Sequence, residues 1–317
     1  MKFLENIFES NANEKISGRL ISINGNYVGL IIPSLVWGEN PNGDYSFVGP
    51  AGLVNNVKPE SSDLMKSLVS VGAIIFGEHN EVLCADRILN ESRRSRTASY
   101  VMANSANCGE FLQKMSNIKN GSVLVVGCGG IGSLVAMNLA GAGIGHLYLV
   151  DDDLVENSNL NRQLFWTLED VGKNKVEVLE REIGKRFPDV ECTVQLSSLS
   201  NGAIEEMAAG FSDIAITADE PLGIGRNLKN GCAEKVVSSG YFHGYSRLEV
   251  GSKDLSQDFI QWHRGPEFIG PSFGPSNTEI AGIMSSFIIQ RVCGIIKSRN
   301  DGFSMQWDAK IFPRRYC

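Results

Sequence analysis

The sequence predicts an α/β protein with a doubly wound, mostly parallel sheet and a small α+β domain in front of it. Two observations predict this architecture. From residue 122 onward, short apolar segments alternate with helix-like segments, which favours parallel strands joined by right-handed crossovers. Residues 1–90 contain short apolar runs separated by turn signals, which is typical of hairpins. We therefore predict two domains, residues 1–90 and residues 91–317.

The first predicted domain consists of short strands, tight turns and one helix. Its strands are predicted at residues 20–23, 27–32 and 73–76, with turns at 24–26, 41–44 and 77–80. The apolar residues Leu64, Met65, Leu68 and Val69 favour a helix over residues 61–71. Residues 91–120 are predicted to be a polar, partly helical connector that begins with a basic run.

The second predicted domain repeats a strand–helix unit. Its strands are predicted at residues 123–126, 147–150, 190–196, 212–218 and 236–240. Its helices are predicted to end near residue 141 and to cover residues 175–187 and 277–297. The last helix is apolar around much of its circumference, so we expect it in the core or at a subunit contact.

Composition and charge narrow the function classes. The chain has 317 residues, of which 43% are hydrophobic, and its 29 basic and 36 acidic residues give a net charge of −7. An acidic chain is a poor match for the phosphate backbone, so we predict no nucleic-acid partner. We find no signal peptide and no membrane span, and we predict a cytoplasmic protein.

The seven cysteines are widely spaced and include no Cys-x-x-Cys pair. Neither a disulfide framework nor a zinc site is indicated by this spacing. We therefore expect reduced, mostly buried thiols and no zinc.

A glycine-rich turn follows the first predicted strand of the sheet. Gly127, Gly129, Gly130 and Gly132 stand where this strand turns into a helix, so backbone N–H groups can approach a phosphate or a ribose. Asp151 ends the next strand and can accept hydrogen bonds from ribose hydroxyls. This pattern predicts a Rossmann-like nucleotide site, but it does not separate a nicotinamide dehydrogenase from an enzyme that uses ATP.

Charged residues further along favour ATP. Arg162 follows the acidic strand end, and Lys175 begins an amphipathic helix. A triphosphate needs such cations to neutralise its charge and to stabilise the leaving pyrophosphate. Asp219 lies just beyond an apolar strand, at the sheet edge where ligands bind, and its carboxylate is a suitable magnesium ligand.

The ordered motifs resemble those of the ThiF/MoeB adenylating family, whose fold is shared by ubiquitin-activating enzymes. The motifs are Gly-Cys-Gly-Gly-Ile-Gly, Asp151-Asp152-Asp153, residues 159–163 (Asn-Leu-Asn-Arg-Gln), Gly172-Lys173-Asn174-Lys175 and Thr217-Ala218-Asp219. The resemblance implies that the glycines and Asp151 hold adenosine, that Arg162 and Lys175 contact the phosphates, and that Asp219 holds Mg²⁺. Asn159 and Gln163 are implied to support this group.

The resemblance also implies a homodimer. Members of the family usually place an arginine from an N-terminal Arg-x-x-Arg segment in the ATP site of the partner, and Arg93-x-x-Arg96 is similar to that segment. We identify Arg96 as the candidate, although Arg93 and Arg94 compete with it for this role.

Over its whole length, the chain most resembles the branch of this family that modifies ribosomally made peptides, as in microcin C and pantocin biosynthesis. In that branch a small N-terminal domain clamps the precursor peptide, and residues 1–90 fit this role. The resemblance implies adenylation of a peptide carboxylate in antibiotic biosynthesis, followed by crosslinking within the peptide or by attachment of a nucleotide. The absence of Cys-x-x-Cys pairs favours the pantocin type, which joins a glutamate side chain. His243 and His263 are candidate bases.

Three alternatives stay open at this stage. The chain could activate the C-terminus of a sulfur-carrier protein, as many members of the family do. It could be a non-catalytic module that senses ATP and binds a peptide. A nicotinamide oxidoreductase shares the glycine pattern as well.

Overall fold

A computed structural model describes residues 14–58, 64–221, 223–229, 231–242, 245–251, 269–270, 272–296, 304–308 and 310. The chain forms two compact units, Met1–Ser116 and Asn117–Cys317, here called the first and the second unit. This division lies beyond residue 90, because the helices of the predicted connector belong largely to the first unit.

The first unit contains two antiparallel sheets and several helices. Its strands are β1 Glu14–Ser17, β2 Leu20–Ile23, β3 Asn26–Ile31, β4 Val36–Glu39, β5 Tyr45–Gly49, β6 Gly52–Val57 and β7 Ile74–Phe76. Its helices are α1 Leu64–Ser70, α2 His79–Asn90, α3 Ser95–Ala103 and α4 Cys108–Lys119, the last of which runs past the boundary. One sheet has the order β1-β2-β3-β7 and the other β4-β5-β6.

Helix α2 was not predicted from the sequence, and residues 79 and 80, which were assigned to a turn, are helical. The helix begins with a capping box, in which the Glu81 side chain accepts a hydrogen bond from the Glu78 backbone N–H. Val82, Ala85 and Leu89 are buried along one face of the helix. Their helical spacing was the signal in the sequence that could have identified α2.

The second unit contains the predicted doubly wound sheet. Its strands are β8 Ser122–Val126, β9 His146–Val150, β10 Glu191–Gln195, β11 Asp213–Ile216, β12 Val236–Phe242, β13 Tyr245–Val250 and β14 Ser304–Asp308. Their order is β10-β9-β8-β11-β12-β13-β14. The strands from β10 to β12 are parallel, whereas β13 and β14 add an antiparallel edge. The predicted fold class is therefore confirmed.

Four helices accompany this sheet in the part of the second unit that the structure describes. They are α5 Gly132–Ala142, α6 Lys175–Arg186, α7 Asn201–Met207 and α8 Gly274–Val292. Helix α8 packs against α5 and against β12 and β13, and Asn138 of α5 donates a hydrogen bond to the Ser285 hydroxyl at 3.1 Å. No helix among the described residues is both long enough and apolar enough to cross a membrane.

A buried ion pair fixes α8 to the sheet. Arg291, in the last turn of α8, pairs with Asp213 at the start of β11, and neither side chain is more than 1% exposed. The guanidinium also donates hydrogen bonds to the carbonyl oxygens of Glu234 and Lys235, at 3.1 and 2.6 Å. The pair thereby joins α8, β11 and the segment that leads into β12.

Replacing Arg291 with methionine is expected to lower the free energy of unfolding by about 3–5 kcal/mol, because the Asp213 carboxylate stays buried without its cation. The matched control is Lys229→Met, which removes the cation of the Lys229–Glu205 pair, where the lysine side chain is 84% exposed. We expect the control to change the free energy by less than about 1 kcal/mol. Urea unfolding of both variants measures the difference, and equal losses would contradict it.

Candidate functional site

Three of the four loop glycines lie close to other atoms of the protein, two of them to backbone atoms and Gly130 to the end of a side chain. Gly127 has φ +87°, and a Cβ there would lie 2.5 Å from the Ala218 backbone nitrogen. A Cβ on Gly132 would collide with the carbonyl oxygen of Gly127, and one on Gly130 would collide with the side-chain amide of Asn277. These glycines let the turn after β8 lie against its neighbours in the second unit.

Gly129 is different from the other three. Its φ lies outside the left-handed region, and the Gln163 amide nitrogen, at 3.7 Å, is the one atom of the described chain within 4 Å of a Cβ placed there. That distance is an ordinary van der Waals contact. A side chain at Gly129 is therefore not excluded by the fold, and the space beside this residue is open for a ligand.

The Gly129→Ala variant is expected to keep the stability of the wild type within about 1 kcal/mol, because alanine meets no clash. The same variant is expected to bind ATP about tenfold more weakly, because its methyl group occupies the space that the nucleotide needs. The Gly132→Ala control should instead unfold more easily. Calorimetric titration and urea unfolding measure the two properties. Unchanged ATP affinity of Gly129→Ala would contradict the assignment of the site.

Asp151 joins the glycine loop to the end of β9. Its carboxylate accepts hydrogen bonds from the backbone N–H groups of Cys128, at 2.6 Å, and of Asp153, at 2.8 Å. Burial raises the pKa of Asp151, and the two backbone hydrogen bonds and the charge of Lys175 act against this rise. Each oxygen keeps a lone pair, so the carboxylate can accept a further hydrogen bond from a ribose hydroxyl.

Lys175 lies at the same edge of the sheet. It is the first residue of α6 and is 6% exposed, and its Nζ lies 2.6 Å from a carboxylate oxygen of Asp153. The Asp153 side chain is 66% exposed, so this ion pair opens toward solvent on the carboxylate side. The structure thus brings Lys175 and Asp151 together, as the sequence predicts, and pairs Asp153 with the lysine.

A network that the sequence analysis missed fixes the loop before Lys175. The buried Asp170 carboxylate accepts hydrogen bonds from the Thr167 backbone and hydroxyl, both at 3.0 Å, from Lys173 at 3.1 Å and from Arg181 of α6 at 2.9 Å. Burial alone would raise the pKa of Asp170, but these hydrogen bonds outweigh burial and hold it well below its usual range. The capping pattern Thr167-x-x-Asp170 was the available signal.

Residues 157–163 form the next part of the site. Asn159 and Gln163 are buried, at 6% and 4% exposure. The Asn159 side chain accepts a hydrogen bond from the Glu156 backbone at 3.1 Å, and Gln163 accepts one from the Trp166 indole at 2.6 Å. Both amides therefore hold the local backbone in place. The Gln163 amide nitrogen is also the group that lies nearest to the open space at Gly129.

Arg162 is partly exposed in this segment. Its guanidinium donates hydrogen bonds to the Ser158 carbonyl oxygen at 2.7 Å and to the Asn161 side chain at 3.1 Å. The Arg162 carbonyl oxygen lies 3.9 Å from the position of a Cβ on Gly130, which places this segment next to the glycine loop. The Arg162 backbone is thus close to the loop, and neutral partners hold its guanidinium in the structure.

The segment after β11 contacts the loop from the other side. The Thr217 hydroxyl donates a hydrogen bond to the Gly127 carbonyl oxygen at 2.6 Å, and the backbone N–H groups of Thr217 and Ala218 donate to Val126 at 2.9 and 3.1 Å. Asp219 follows directly and is exposed. Because β8 has β9 on one side and β11 on the other, the site lies where the strand order reverses, as in other doubly wound folds.

For several predicted site residues, the structure gives no contact with the residues around the glycine loop. Arg96 lies in α3 of the first unit and is exposed, so its role stays a prediction. His243 and His263 lie outside the described residues. Cys128 is part of the loop but fully buried, and burial raises the pKa of its thiol, followed in effect by the charge of Asp151. Cys128 is therefore a poor nucleophile.

The chain is similar to known proteins in both sequence and fold. The model of the ThiF family matches residues 106–314. The sulfur carrier protein ThiS adenylyltransferase of Escherichia coli K12 is 31% identical over 121 residues, which are 38% of this chain and 48% of that protein. A probable molybdopterin-synthase adenylyltransferase of Porphyra purpurea is 33% identical over 126 residues, 39% of this chain and 32% of that protein. The matches thus span less than half of these relatives.

Two solved structures have the same fold over nearly the whole chain. E. coli MccB, solved with ATP, superposes with a TM-score of 0.64 at 18% identity and covers 92% of this chain and 96% of its own. PaaA superposes with a TM-score of 0.62 at 22% identity and covers 90% of this chain and 98% of its own. MccB has also been solved in complex with N-formylated MccA. At these identities the similarity establishes the fold.

Proposed function

The chain belongs to the ThiF family, and on this basis we propose that it is an ATP- and Mg²⁺-dependent enzyme that adenylates a carboxylate on a ribosomally made precursor peptide. The adenylate is then attacked within the peptide and AMP leaves, which gives a crosslinked product of the pantocin type. A nucleotide-linked product of the microcin C type needs a second ATP, whose α-phosphorus is attacked by a nucleophile of the cyclised peptide with loss of pyrophosphate. The product is a peptide antibiotic or its precursor.

The observation that carries this proposal is the arrangement at the carboxyl edge of β8, β9 and β11. The space beside Gly129, which the described residues leave open, lies next to the Asp151 carboxylate, which can bind ribose. Asp153, whose backbone N–H donates a hydrogen bond to Asp151, forms an ion pair with Lys175. Arg162 follows in the segment that contacts the glycine loop. A hydride-transfer enzyme does not need these cations, whereas a triphosphate does.

In the proposed reaction a carboxylate oxygen of the peptide attacks the α-phosphorus of ATP. The bond from the α-phosphorus to the bridging oxygen of the β-phosphate breaks, and pyrophosphate leaves with its electron pair. Arg162, Lys175 and an Arg96 from a second copy of the chain stabilise the charge that develops on the phosphates. A nucleophile that the enzyme holds close to the acyl adenylate then attacks its carbonyl carbon, and AMP leaves.

Magnesium fits the exposed carboxylate of Asp219, because carboxylate oxygen is the ligand type that Mg²⁺ prefers. Asp219 would hold the ion at the end of β11, beside the glycine loop. A bound Mg²⁺ would neutralise phosphate charge and orient the pyrophosphate as it leaves.

The first unit supports the choice of a peptide as substrate. In the sheet β4-β5-β6, β4 and β6 are the outer strands, and β5 is the one strand that each pairs with among the described strands. Val36, Val48 and Leu53 stand opposite one another across this sheet, and all three are 45% exposed or more. A peptide bound as an added strand would gain main-chain hydrogen bonds from the edge and apolar contacts from this row. The likeness in fold to MccB and PaaA supports the same choice.

Sulfur-carrier activation is the second candidate function. It is favoured by the ThiS adenylyltransferase, which is 31% identical to this chain over the matched stretch. In that case the activated carboxylate is the C-terminus of a folded carrier protein. A chain that binds ATP and a peptide, but adenylates neither a peptide nor a carrier protein, would be a non-catalytic module.

Exchange of labelled pyrophosphate into ATP separates these functions. Purified protein with Mg²⁺ is assayed with short peptides encoded beside its gene and, separately, with a purified ThiS-type carrier. The proposal expects exchange with a peptide and not with the carrier, and a mass change in that peptide on longer incubation. If exchange occurs with the carrier alone, the function is carrier activation and the proposal is wrong. If ATP binds and no exchange occurs with either substrate, the chain is a non-catalytic module.

A further inference from the structure

Asn277, in the first turn of α8, is a buried polar group whose hydrogen-bonding capacity the described chain does not use. The residue is 1% exposed. Its Oδ1 has no hydrogen-bond partner in the described part of the chain, and its Nδ2 has one contact, to the Ser272 hydroxyl at 3.5 Å. That distance is the outer limit of a hydrogen bond. Buried amides normally have partners, so this one points to a ligand.

The position of Asn277 indicates which ligand. Its amide nitrogen lies against the position that a Cβ on Gly130 would occupy, so a side chain there would require the amide to move. Three residues earlier, Gly274 packs against Arg162, with 3.7 Å between the position of a glycine Cβ and the Arg162 Cα. The amide therefore lies against the nucleotide loop, and the same helix end lies against the backbone of the arginine that we assign to the phosphates.

The helix end adds a second property. Helix α8 has 19 residues and a proline in its first turn, and its N-terminus carries the partial positive charge of the helix dipole. No acidic residue lies in that first turn. An anionic group is therefore favoured beside Asn277, and the unpartnered Oδ1 requires a donor next to that anion. A carboxylate whose neighbouring carbon carries an amide N–H supplies both groups.

We propose that the first turn of α8 receives the carboxylate that is to be adenylated, and that Asn277 Oδ1 accepts a hydrogen bond from the amide N–H of the residue carrying it. Asn277 would then select the α-carboxylate at the C-terminus of a peptide over side-chain carboxylates, such as that of glutamate, and over simple carboxylates. This inference rests on the proposed function, because it assumes an acyl adenylate at the site.

Two stable mimics of an acyl adenylate test the inference without knowledge of the natural peptide. Both are 5′-O-sulfamoyladenosine derivatives acylated on the sulfamoyl nitrogen. One carries the N-acetylglycyl group and the other carries the acetoxyacetyl group. The second mimic replaces the amide N–H by an ester oxygen and is otherwise nearly the same in shape. Calorimetric titration gives the dissociation constant of each mimic, of unacylated 5′-O-sulfamoyladenosine and of ATP.

We expect the wild type to bind the N-acetylglycyl mimic about tenfold more tightly than the acetoxyacetyl mimic. Asn277→Leu, which keeps the volume and removes the acceptor, is expected to bind both mimics equally and to bind ATP within about twofold of the wild type. Thr278→Ala is the control, because Thr278 is the exposed next residue, and it should keep the preference. Asn277→Ala repeats the test if the leucine variant does not fold.

The thermal midpoint is a second readout. Asn277→Leu removes a buried amide that has one long hydrogen bond, so its midpoint should equal or exceed that of the wild type. A lower midpoint together with an unchanged preference for the N-acetylglycyl mimic would assign Asn277 a structural role and overturn the inference. Loss of ATP binding in Asn277→Leu would place the contact on the nucleotide and overturn it as well.

The outcomes also separate this inference from the proposed function. If the wild type binds both acylated mimics tightly and equally, adenylation stands and the role of Asn277 is wrong. If neither mimic binds more tightly than unacylated sulfamoyladenosine, the site does not hold an acyl adenylate, and the proposed function fails together with the inference.

Discussion

Replacing Lys175 with methionine is expected to lower the rate of ATP–pyrophosphate exchange by about a hundredfold to a thousandfold, the usual effect of removing one preorganised charge-stabilising group. Lys175 is buried beside Asp151, and its charge would act on the phosphates from a fixed position with little competition from water. The partner that the substitution leaves behind, Asp153, is 66% exposed and stays solvated. The loss should therefore appear in the reaction rate and not in stability.

The matched control for Lys175→Met is Lys173→Met, two residues earlier in the same loop. Lys173 is 51% exposed and pairs with the buried Asp170, which keeps Arg181 as a partner when the lysine is removed. The control should keep exchange within about twofold of the wild type, because the Asp170 carboxylate keeps its hydrogen bonds from Arg181 and Thr167. If both variants lost exchange equally, loop structure rather than the charge of Lys175 would explain the effect.

The second large effect is expected at Asp219. Asp219→Asn keeps the size of the side chain and removes the charge that would hold Mg²⁺, so we expect exchange to fall by about a hundredfold or more. The concentration of Mg²⁺ that gives half-maximal exchange should rise in the same variant, because an amide oxygen is a weaker ligand than a carboxylate. A magnesium titration of the exchange rate measures both changes.

Glu220→Gln is the control for Asp219→Asn, because it removes the same charge from the next residue, which is also exposed. It should leave the magnesium dependence unchanged. An Asp219→Asn enzyme with a lower rate and an unaltered magnesium requirement would show that Asp219 acts on the reaction by another route.

The sequence predicted the parts of the fold that depend on local pattern. The strand, glycine turn and helix at 122–142 and the amphipathic α6 lie where the sequence placed them, because hydrophobic periodicity and glycine positions determine such units. The edge strands β13 and β14 were not predicted. β14 pairs with β13, which lies far away in the chain, and such pairing leaves no short-range signal in the sequence. β13 pairs with the strand directly before it, β12, and this local pairing was missed.

The site was predictable as a set of residues but not as a set of contacts. Asp151, Lys175 and Gln163 were named from motifs. In the structure Asp151 accepts a hydrogen bond from the glycine loop, the charge of Lys175 acts on Asp151, and the Gln163 amide lies beside Gly129. Two contributions could not be read from the motifs. The Gly130 contact with Asn277 joins residues 147 positions apart (277 − 130 = 147), and the burial of Asp170 depends on Arg181 from the following helix. Both are tertiary effects.

The central claim is that a carboxylate oxygen attacks the α-phosphorus of ATP, and oxygen-isotope transfer tests it most directly. The substrate that supports exchange is prepared with the heavy oxygen isotope in its carboxylates and incubated with the enzyme, ATP and Mg²⁺. Because adenylation forms a bond between that oxygen and the α-phosphorus, and later attack at the carbonyl carbon leaves it there, the account predicts one heavy oxygen in the AMP released. Unlabelled AMP, or label found in orthophosphate, would contradict the account.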